Sequence, residues 1–421
     1  MKIVFLLHNA YAIGGTVRTT LNLATALAER HQVEIVSMMR HRSTPRFAVD
    51  ARLRLTSLVD LREDGPDVRE PAFAQPAIDF PTEEKRHRQY NRLIDLRVRE
   101  YLAGSDADVV IGTRPGINVY LARFGPRGAL RIAQEHLRHD AHTGPLRQLL
   151  ARHYRTLDAL VTTTRADAEV YRANMPLPGV RVTSVPNIVP APHGVAPSDG
   201  TAPVIAAAGR LARGKRFDLL LTAFAVVAAK EPEWSLRVYG GGAQQERLEA
   251  LIDRLGLVGR AELMGSHSPI EPEFARSSLV VSASDAESFG MTLVEAMRCG
   301  VPVVSTDCPL GPAEIVRDGV DGRLVPVGDA DALADAMLEL IGDPERRRAM
   351  GRAALEGAAR FDAAPVVARY EELFAELTAS RRSRGWARTR ARLAASLRRR
   401  TRTGRRRLGA LRPRSAAGGG R

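Results

Sequence analysis

Two carboxylates eight positions apart, Glu287 and Glu295, bracket a glycine turn, and no other stretch of the chain is better composed to act on a small ligand. The apolar, β-branched run Leu279 to Ser284 predicts a buried strand that Phe289-Gly290 breaks. Met291 to Cys299 then predicts a helix closed by Gly300 and Pro302, and Val301 to Thr306 a second strand. Strand, helix, strand with such short joints is a right-handed parallel crossover. It sets the helix start at the carboxyl edge of the sheet, where open α/β sheets bind ligands. Glu287 falls in the loop, and Glu295 lies one turn into the helix with its side chain directed back toward the helix start. Both can serve one ligand. Between them, the backbone N–H groups at Phe289, Gly290, Met291 and Thr292, with the helix dipole behind, suit a phosphate or diphosphate.

A second cluster, Gly209-Arg210-Leu-Ala-Arg-Gly214-Lys215-Arg-Phe-Asp218, follows the predicted strand Val204 to Ala208 and opens a helix running to about Lys230. Arg210 can grip two oxygens of a diphosphate in a fork, and Lys215 can act as a compact point charge. The chain holds only four lysines, at 2, 85, 215 and 230, so a lysine in this turn stands out.

The elements that must position these residues alternate through both halves. In the first half, strands are predicted at Ile3 to Leu7, Val33 to Met39, Leu53 to Val59, Val109 to Gly112, Leu130 to Gln134, a stretch ending at Val161 to Thr164, and Val182 to Pro186. Helices are predicted at Val17 to Glu29 and Glu83 to Leu102, with a surface excursion over 60–82. The polar clusters His8 to Thr16, Thr113 to Gly116 and Glu135 to His139 all fall at strand carboxyl ends. The second half restarts with Val204 to Ala208, Ser235 to Tyr239, the turn Gly240-Gly241-Gly242, a helix Glu246 to Leu255, and a strand Arg260 to Met264. A short helix near Ile270 to Ala275 leads into the two-acid stretch. Such alternation predicts two doubly wound, Rossmann-like α/β domains facing across a cleft. The boundaries read as 1–190 for the first domain, 191–202 for a Pro/Gly/Ser/Ala-rich linker and 203–361 for the second. Residues 362–380 form a closing helix returning to the first domain, and 381–421 an Arg-rich tail.

Composition narrows the class. A chain of 421 residues with 44% hydrophobic residues can bury two cores. Its two cysteines, Cys299 and Cys308, have no metal-ligand spacing and favour a reducing compartment. Met1 to Leu7 is too short an apolar run for a secretory leader and reads as a strand, and no run approaches a membrane span, so a cytoplasmic location is expected. The formal charge of +14 suggests a polyanion binder until it is located. Residues 381–421 hold 16 arginines and no acid, leaving 14 − 16 = −2 for residues 1–380. The basic character belongs to the tail.

With Gly14-Gly15-Thr16, Glu135-His136, Asn187, Gly209-Arg210 with Lys215, Gly240-Gly241-Gly242 and Glu287-x7-Glu295 in place, residues 1 to about 378 resemble the retaining glycosyltransferases of the GT-B architecture. These are the family 4-like "glycosyl transferases group 1", which include cell-envelope and teichoic-acid-type enzymes. The two-glutamate spacing with the Arg and Lys turn is the specific part. The resemblance implies that Arg210 and Lys215 hold the diphosphate of a nucleotide-sugar donor, Glu295 the ribose hydroxyls and Glu287 hydroxyls of the transferred sugar. It implies that His136 sits beside the donor sugar, while Gly15, Gly241, Phe289, Gly290 and Met291 complete the donor site. His136, Glu287, Arg210 and Lys215 are then the catalytic set. No covalent nucleophile is evident, and the resemblance implies attack from the same face as departure, with the leaving phosphate oxygen accepting the acceptor's proton and the configuration retained. No cofactor beyond the donor is expected, and no metal. Asp106-Ala-Asp108 precedes its strand at the wrong edge of the sheet, and Asp329-Ala-Asp331 starts a helix, where acids favour the dipole.

Arg18, Arg40, Arg114, Arg138 and His139 together predict a cationic rim on the first domain, with Arg114, Arg138 and His139 as its acceptor-side members. The expected acceptor is a glycan, a lipid or a polyol-phosphate polymer. In the tail, Trp386, Leu393 and Leu397 fall at helical spacing among arginines, with Leu408 and Leu411 beyond. The tail reads equally as a basic amphipathic segment, which would attach the protein peripherally to the inner, anionic face of the cell membrane, or as a disordered, solvated charge run; nucleic-acid binding is not expected without a recognisable module. Two rival functions share these features. A nucleotide-sugar epimerase of the same fold would convert donor without acceptor, and a non-catalytic basic binding protein would depend on its tail.

Overall fold

A computed structural model describes residues 1–391, 393 and 394. The first sheet contains β1 (Lys2–Leu7), β2 (Gln32–Arg40), β3 (Arg54–Asp60), β4 (Val109–Gly112), β5 (Leu130–Glu135), β6 (Ala159–Thr162) and β7 (Arg181–Ser184). All pair in parallel, in the order β3-β2-β1-β4-β5-β6-β7. The second contains β8 (Val204–Ala208), β9 (Ser235–Tyr239), β10 (Ala261–Gly265), β11 (Leu279–Ser282), β12 (Val303–Thr306) and β13 (Gly322–Val325). Its order, β10-β9-β8-β11-β12-β13, is also wholly parallel.

Helices cover both faces of each sheet, which is why the strands read as continuous apolar runs. Along β1, Ile3, Phe5 and Leu7 enter one core cluster and Val4 and Leu6 the other, the period-2 alternation of a strand buried on both sides. Ile205 and Ala207 of β8 and Ala206 between them divide in the same way. In each sheet the strand order reverses beside the first strand, so the loops after β1 and β4, and those after β8 and β11, diverge and leave a crevice. Gly15 and Arg114 follow β1 and β4, and Arg210, Lys215 and Glu287 follow β8 and β11, at those four strand ends.

The long helix Ala363–Ala379 lays Val366, Tyr370, Leu373, Phe374 and Leu377 on the first domain's core. Arg30 and His31 hold Glu371 at 3.0 and 3.2 Å, and Arg369 donates to the Ser184 carbonyl at 2.8 Å. Buried Arg298 ties the crossing chain down, donating to the Val189 carbonyl at 2.9 Å and to Asp362 at 2.5 Å.

Residues 381–391 continue as helix. Arg381 donates to the carbonyls of Arg127 and Gly128, Arg384 to Asp158 at 2.7 Å, and Arg388 to Asp158 and the Gly179 carbonyl at 3.2 Å each. Those groups precede β5, β6 and β7, so this helix is docked at the amino edge of the sheet, opposite the crevice. Trp386 and Leu393 lie on its outward side, 70% and 59% exposed. Leu397, Leu408 and Leu411 lie outside the described residues.

Two local expectations need correction. The helix expected from Glu83 begins only at Arg92, because the Asn91 side chain caps it by accepting the Ile94 N–H at 3.0 Å, and residues 83–90 are turns with a short 3₁₀ helix at His87–Gln89. The strand β13 and the short helix Pro312–Ile315 have no counterpart in the sequence reading; both are four residues long, too short for periodicity to show.

Candidate functional site

The glycine turns shape the crevice floor. Gly290 adopts φ 104°, ψ 49°, the left-handed conformation that turns the chain into the helix Met291–Arg298 without a side-chain cap. That helix has no acid in its first turn, so its leading N–H groups remain an anion site. Gly240 has φ 144°, and a Cβ there would stand 1.8 Å from the Gly209 carbonyl oxygen. Only glycine lets the Gly240–Gly242 loop pack on the Gly209-Arg210-Leu211 turn, where Leu211 N–H donates to the Gly241 carbonyl at 3.0 Å.

Lys215 reaches from this turn to Glu287, with its ammonium directly on one carboxylate oxygen. The same oxygen accepts the Ser284 hydroxyl at 2.7 Å. Arg210 is exposed, and no acid among the described residues lies within ion-pair distance of it. Of the two cations assigned to the diphosphate, Lys215 is thus engaged and Arg210 disengaged, in the same domain as the helix start that follows Phe289 and Gly290.

Glu295 is 7% exposed and faces the other domain, where Arg18 of the helix Gly15–Leu27 meets it at 3.0 Å. The second guanidinium nitrogen of Arg18 meets Glu271, also 7% exposed, at 2.5 Å. Burial, reinforced by the Glu271 charge and opposed by Arg18, pushes Glu295 up to about 7. The domains meet directly at two further points. Thr163, at the end of β6, donates its hydroxyl to the Ser288 carbonyl at 2.7 Å. Glu314 accepts the Arg165 and Ala166 N–H groups at 3.0 and 2.8 Å, capping the helix Arg165–Asn174 across the interface.

From the first domain, His136 ends β5 half-buried, with Nε2 enclosed and without a hydrogen-bond partner among the described residues. Burial lowers its pKa to about 4, so the ring is neutral near pH 7. Glu135 beside it points inward: Tyr154 donates to it, Asn118 donates at 3.2 Å and the His142 ring nitrogen lies at 3.4 Å. That buried network anchors the strand end from which His136 projects. Gly15 begins the first helix with open space where a Cβ would stand.

The cationic rim is not a free positive surface. Arg40 pairs with Asp60 at 2.6 Å, Arg114 with Glu84 at 2.7 Å and Arg138 with Asp140 at 3.3 Å. Arg18 turns to the second domain. His139 is buried edge-on against Tyr171, its ring centroid 4.9 Å away, and burial lowers its pKa, so it supplies no charge. Of the Asp pairs, Asp106 binds Lys2 and Asp108 accepts the Lys2 N–H at 2.8 Å; Asp329 caps a helix through the Ala332 N–H at 2.9 Å.

Sequence reasoning did not single out Thr163, Ser284, Glu271 or Glu314 as site residues. Thr163 and Ser284 each lie just past a strand's carboxyl end, the signal that would have found them. Glu271 and Glu314 act through contacts about 250 and 150 residues distant in the chain, for which a single sequence carries no mark.

The sequence model described as "Glycosyltransferase Family 4" matches residues 13–191, and the one described as "Glycosyl transferases group 1" matches residues 192–356. An exopolysaccharide phosphotransferase of Streptomyces coelicolor is 36% identical over 394 residues, 90% of this chain; the chain spans 41% of that relative's length. A lipopolysaccharide core biosynthesis glycosyltransferase, LpsE of Rhizobium meliloti, is 25% identical over 79% of this chain and 87% of its own. Among solved structures, the S. aureus TarM in complex with α-GlcNAc-glycerol and UDP superposes with TM-score 0.70 at 14% identity, covering 89% of this chain and 99% of TarM. The pneumococcal O-GlcNAc transferase GtfA, solved with UDP and GlcNAc, gives 0.71 at 15%, covering 90% and 99%.

Proposed function

The chain belongs to the GT-B-fold glycosyl transferases of group 1, which act on sugar donors, and from that premise we propose that it transfers a hexose from a nucleotide-diphosphate sugar to an acceptor hydroxyl with retention. The acceptor is a polymer, lipid or glycoconjugate of the cell envelope. The observation that carries this reading is the Lys215–Glu287 pair at the start of the helix Met291–Arg298, beside disengaged Arg210. A donor diphosphate fits between Arg210, Lys215 and the helix start. Its ribose reaches Glu295, and its sugar lies between Glu287 and His136.

In the reaction, the bond from the anomeric carbon to the diphosphate oxygen breaks and a bond to the acceptor oxygen forms on the same face. Positive charge builds on the sugar, and negative charge on the leaving diphosphate. Arg210, Lys215 and the N–H groups after Gly290 stabilise that negative charge in place of a metal ion. The leaving phosphate oxygen takes the acceptor's proton. Neutral His136 donates to a sugar hydroxyl or accepts from one, and its enclosed Nε2 has its polar partner supplied by the sugar.

The location proposed is the cytoplasm, with the tail holding the protein peripherally on an anionic bilayer. Among the described residues no helix is long and apolar enough to cross a membrane. The tail helix docks at the sheet's amino edge, so contact through Trp386 and its neighbouring arginines leaves the crevice facing away from the surface. Arg114, Arg138 and His139 remain the proposed acceptor side, Arg114 and Arg138 contributing hydrogen bonds from paired guanidinium groups and His139 shape alone. Neither the epimerase nor the basic binding protein is favoured by the proteins this chain resembles.

The test is a panel of UDP-, GDP- and ADP-sugars screened for thermal stabilisation, followed by turnover with envelope glycans as acceptors. Stabilisation by one nucleotide sugar and acceptor-dependent release of its nucleotide diphosphate are expected. Donor conversion without acceptor would overturn transfer in favour of epimerisation.

A further inference from the structure

Glu271 and Arg18 have no part in the reaction as described, yet they form the most buried ion cluster between the two domains. Arg18 brings one guanidinium to two carboxylates, Glu295 at 3.0 Å and Glu271 at 2.5 Å. The second oxygen of Glu271 is enclosed without a hydrogen-bond partner, so this site holds two acids and one cation. Cys299, whose thiol lies 3.4 Å from the Glu271 carbonyl, closes the far side and adds no charge, since burial pushes it up to about 12.

A ribose diol presents two O–H donors. A carboxylate accepts both, whereas a protonated carboxyl must itself donate one hydrogen and accepts less well. A buried glutamate next to a second glutamate tends to hold its proton, and only a cation in contact counters this. On this chain that cation comes from the opposite domain. Resting on the proposed donor site, we infer that Arg18, anchored by Glu271, is a positioning residue that favours the ionised form of Glu295 and aims it at the donor's ribose, so that donor affinity depends on the first domain being closed over the second.

The two anchors make opposite demands on Glu295. Removing Arg18 takes away the favourable charge and raises the pH at which Glu295 ionises. Removing the Glu271 charge takes away the unfavourable one, and releases Arg18 to serve Glu295 alone, lowering that pH. A role limited to holding the domains together would move binding in one direction for both.

The experiment titrates UDP, GDP and ADP into the full chain by calorimetry from pH 5.5 to 8.5, for wild type, Arg18→Gln, Arg18→Lys, Glu271→Gln and Glu295→Gln, with thermal unfolding to confirm each fold. Arg18→Gln is expected to raise the acid midpoint of binding by about one pH unit or more, weakening affinity about tenfold at pH 6.5. Arg18→Lys recovers most of the loss, Glu271→Gln lowers the midpoint, and Glu295→Gln binds weakly with no midpoint. Midpoints that move together in Arg18→Gln and Glu271→Gln, or do not move, overturn the inference. Should none of the three nucleotides bind wild type, the donor reading fails. The inference is then decided by the ¹³C resonance of the Glu295 carboxyl, identified by its loss in Glu295→Gln: opposite displacement of its titration in the two variants sustains it, and unchanged titration ends it.

Discussion

Lys215→Ala separates chemistry from folding more cleanly than any other single change. The ammonium rests on Glu287, with the two side chains 30% and 15% exposed. A pair so open to solvent contributes about 1 kcal/mol at most. Glu287 also keeps the Ser284 hydroxyl at 2.7 Å after the lysine is gone, so no carboxylate is stranded. At about 2–4 °C per kcal/mol for domains of this size, the melting temperature should fall by only a few degrees. The effect on turnover is of another order. If Lys215 meets the diphosphate as charge accumulates on it, its loss costs about 10²–10³-fold in kcat, roughly 3–4 kcal/mol, comparable with removing one donor from an oxyanion site. The assay is single-turnover release of nucleotide diphosphate at saturating donor, alongside the melting temperature of the same preparation. Glu287→Ala and the double variant complete the cycle. Because the two residues grip adjoining parts of one donor, their losses should be far from additive. A Lys215→Ala protein that folds and turns over at the wild-type rate would refute the placement of the leaving group.

The remaining expectations concern pH, the domain contact and the tail. His136, lowered to about 4 by burial, binds fewer protons in the native than in the unfolded state between pH 4 and 6.5, so its contribution to stability is present above 6.5 and lost as pH falls through 4. Glu295, raised to about 7, binds more protons in the native state, so its contribution is present below about 4.5 and lost as pH rises through 7. Urea unfolding between pH 4.5 and 7 should accordingly show the rise of stability with pH reduced in His136→Asn and increased in Glu295→Gln. Glu314→Ala removes the acceptor for two helix N–H groups and should cost about 0.5–2 kcal/mol by denaturant titration, with kcat changing far less than in Lys215→Ala. Truncation after residue 380 removes Arg384 from Asp158, a pair in which both side chains are about nine-tenths buried, and should lower stability by about 1–3 kcal/mol; truncation after residue 391 should not. Equal melting temperatures for the two truncations would show that the docked arginines carry no weight.

The sequence was most informative where one local rule sufficed. The alternation of apolar strands and helical stretches, and the polar clusters at strand ends, located the crevice, because in a parallel sheet every carboxyl end lies on one edge. Glu287, Glu295, Arg210 and Lys215 were legible for that reason. What charge counting could not supply was partnership. Arg40, Arg114 and Arg138 look like a cationic rim in one dimension, and each is paired in three, Arg40 and Arg114 with acids 20 and 30 residues away in the chain. His139 sits three positions beyond His136 and is nevertheless packed inward on Tyr171, since it opens a 3₁₀ turn whose first N–H donates to Asp167 of the helix Arg165–Asn174 at 3.1 Å. The tail, open between an amphipathic segment and a solvated charge run on sequence, has partners at its start that charge counting also could not supply: Arg384 and Arg388 find an acid and backbone carbonyls at the sheet's amino edge.

The crevice has a consistent electrostatic arrangement, in which each acid assigned to the donor holds a cation. Glu287 holds Lys215 from its own domain, and Glu295 holds Arg18 from the other. A donor does not have to bring charge to an uncompensated acid. The diphosphate can draw Lys215 toward itself, exposing Glu287 to the sugar hydroxyls without leaving either charge unsolvated. Arg18 cannot be drawn away so cheaply, because Glu271 would then be left buried with no cation at all. The two pairs therefore have different fates on binding, exchange at Lys215 and retention at Arg18. On this arrangement Lys215 variants should impair turnover, and Arg18 variants donor affinity, although both cations rest on glutamates only eight positions apart.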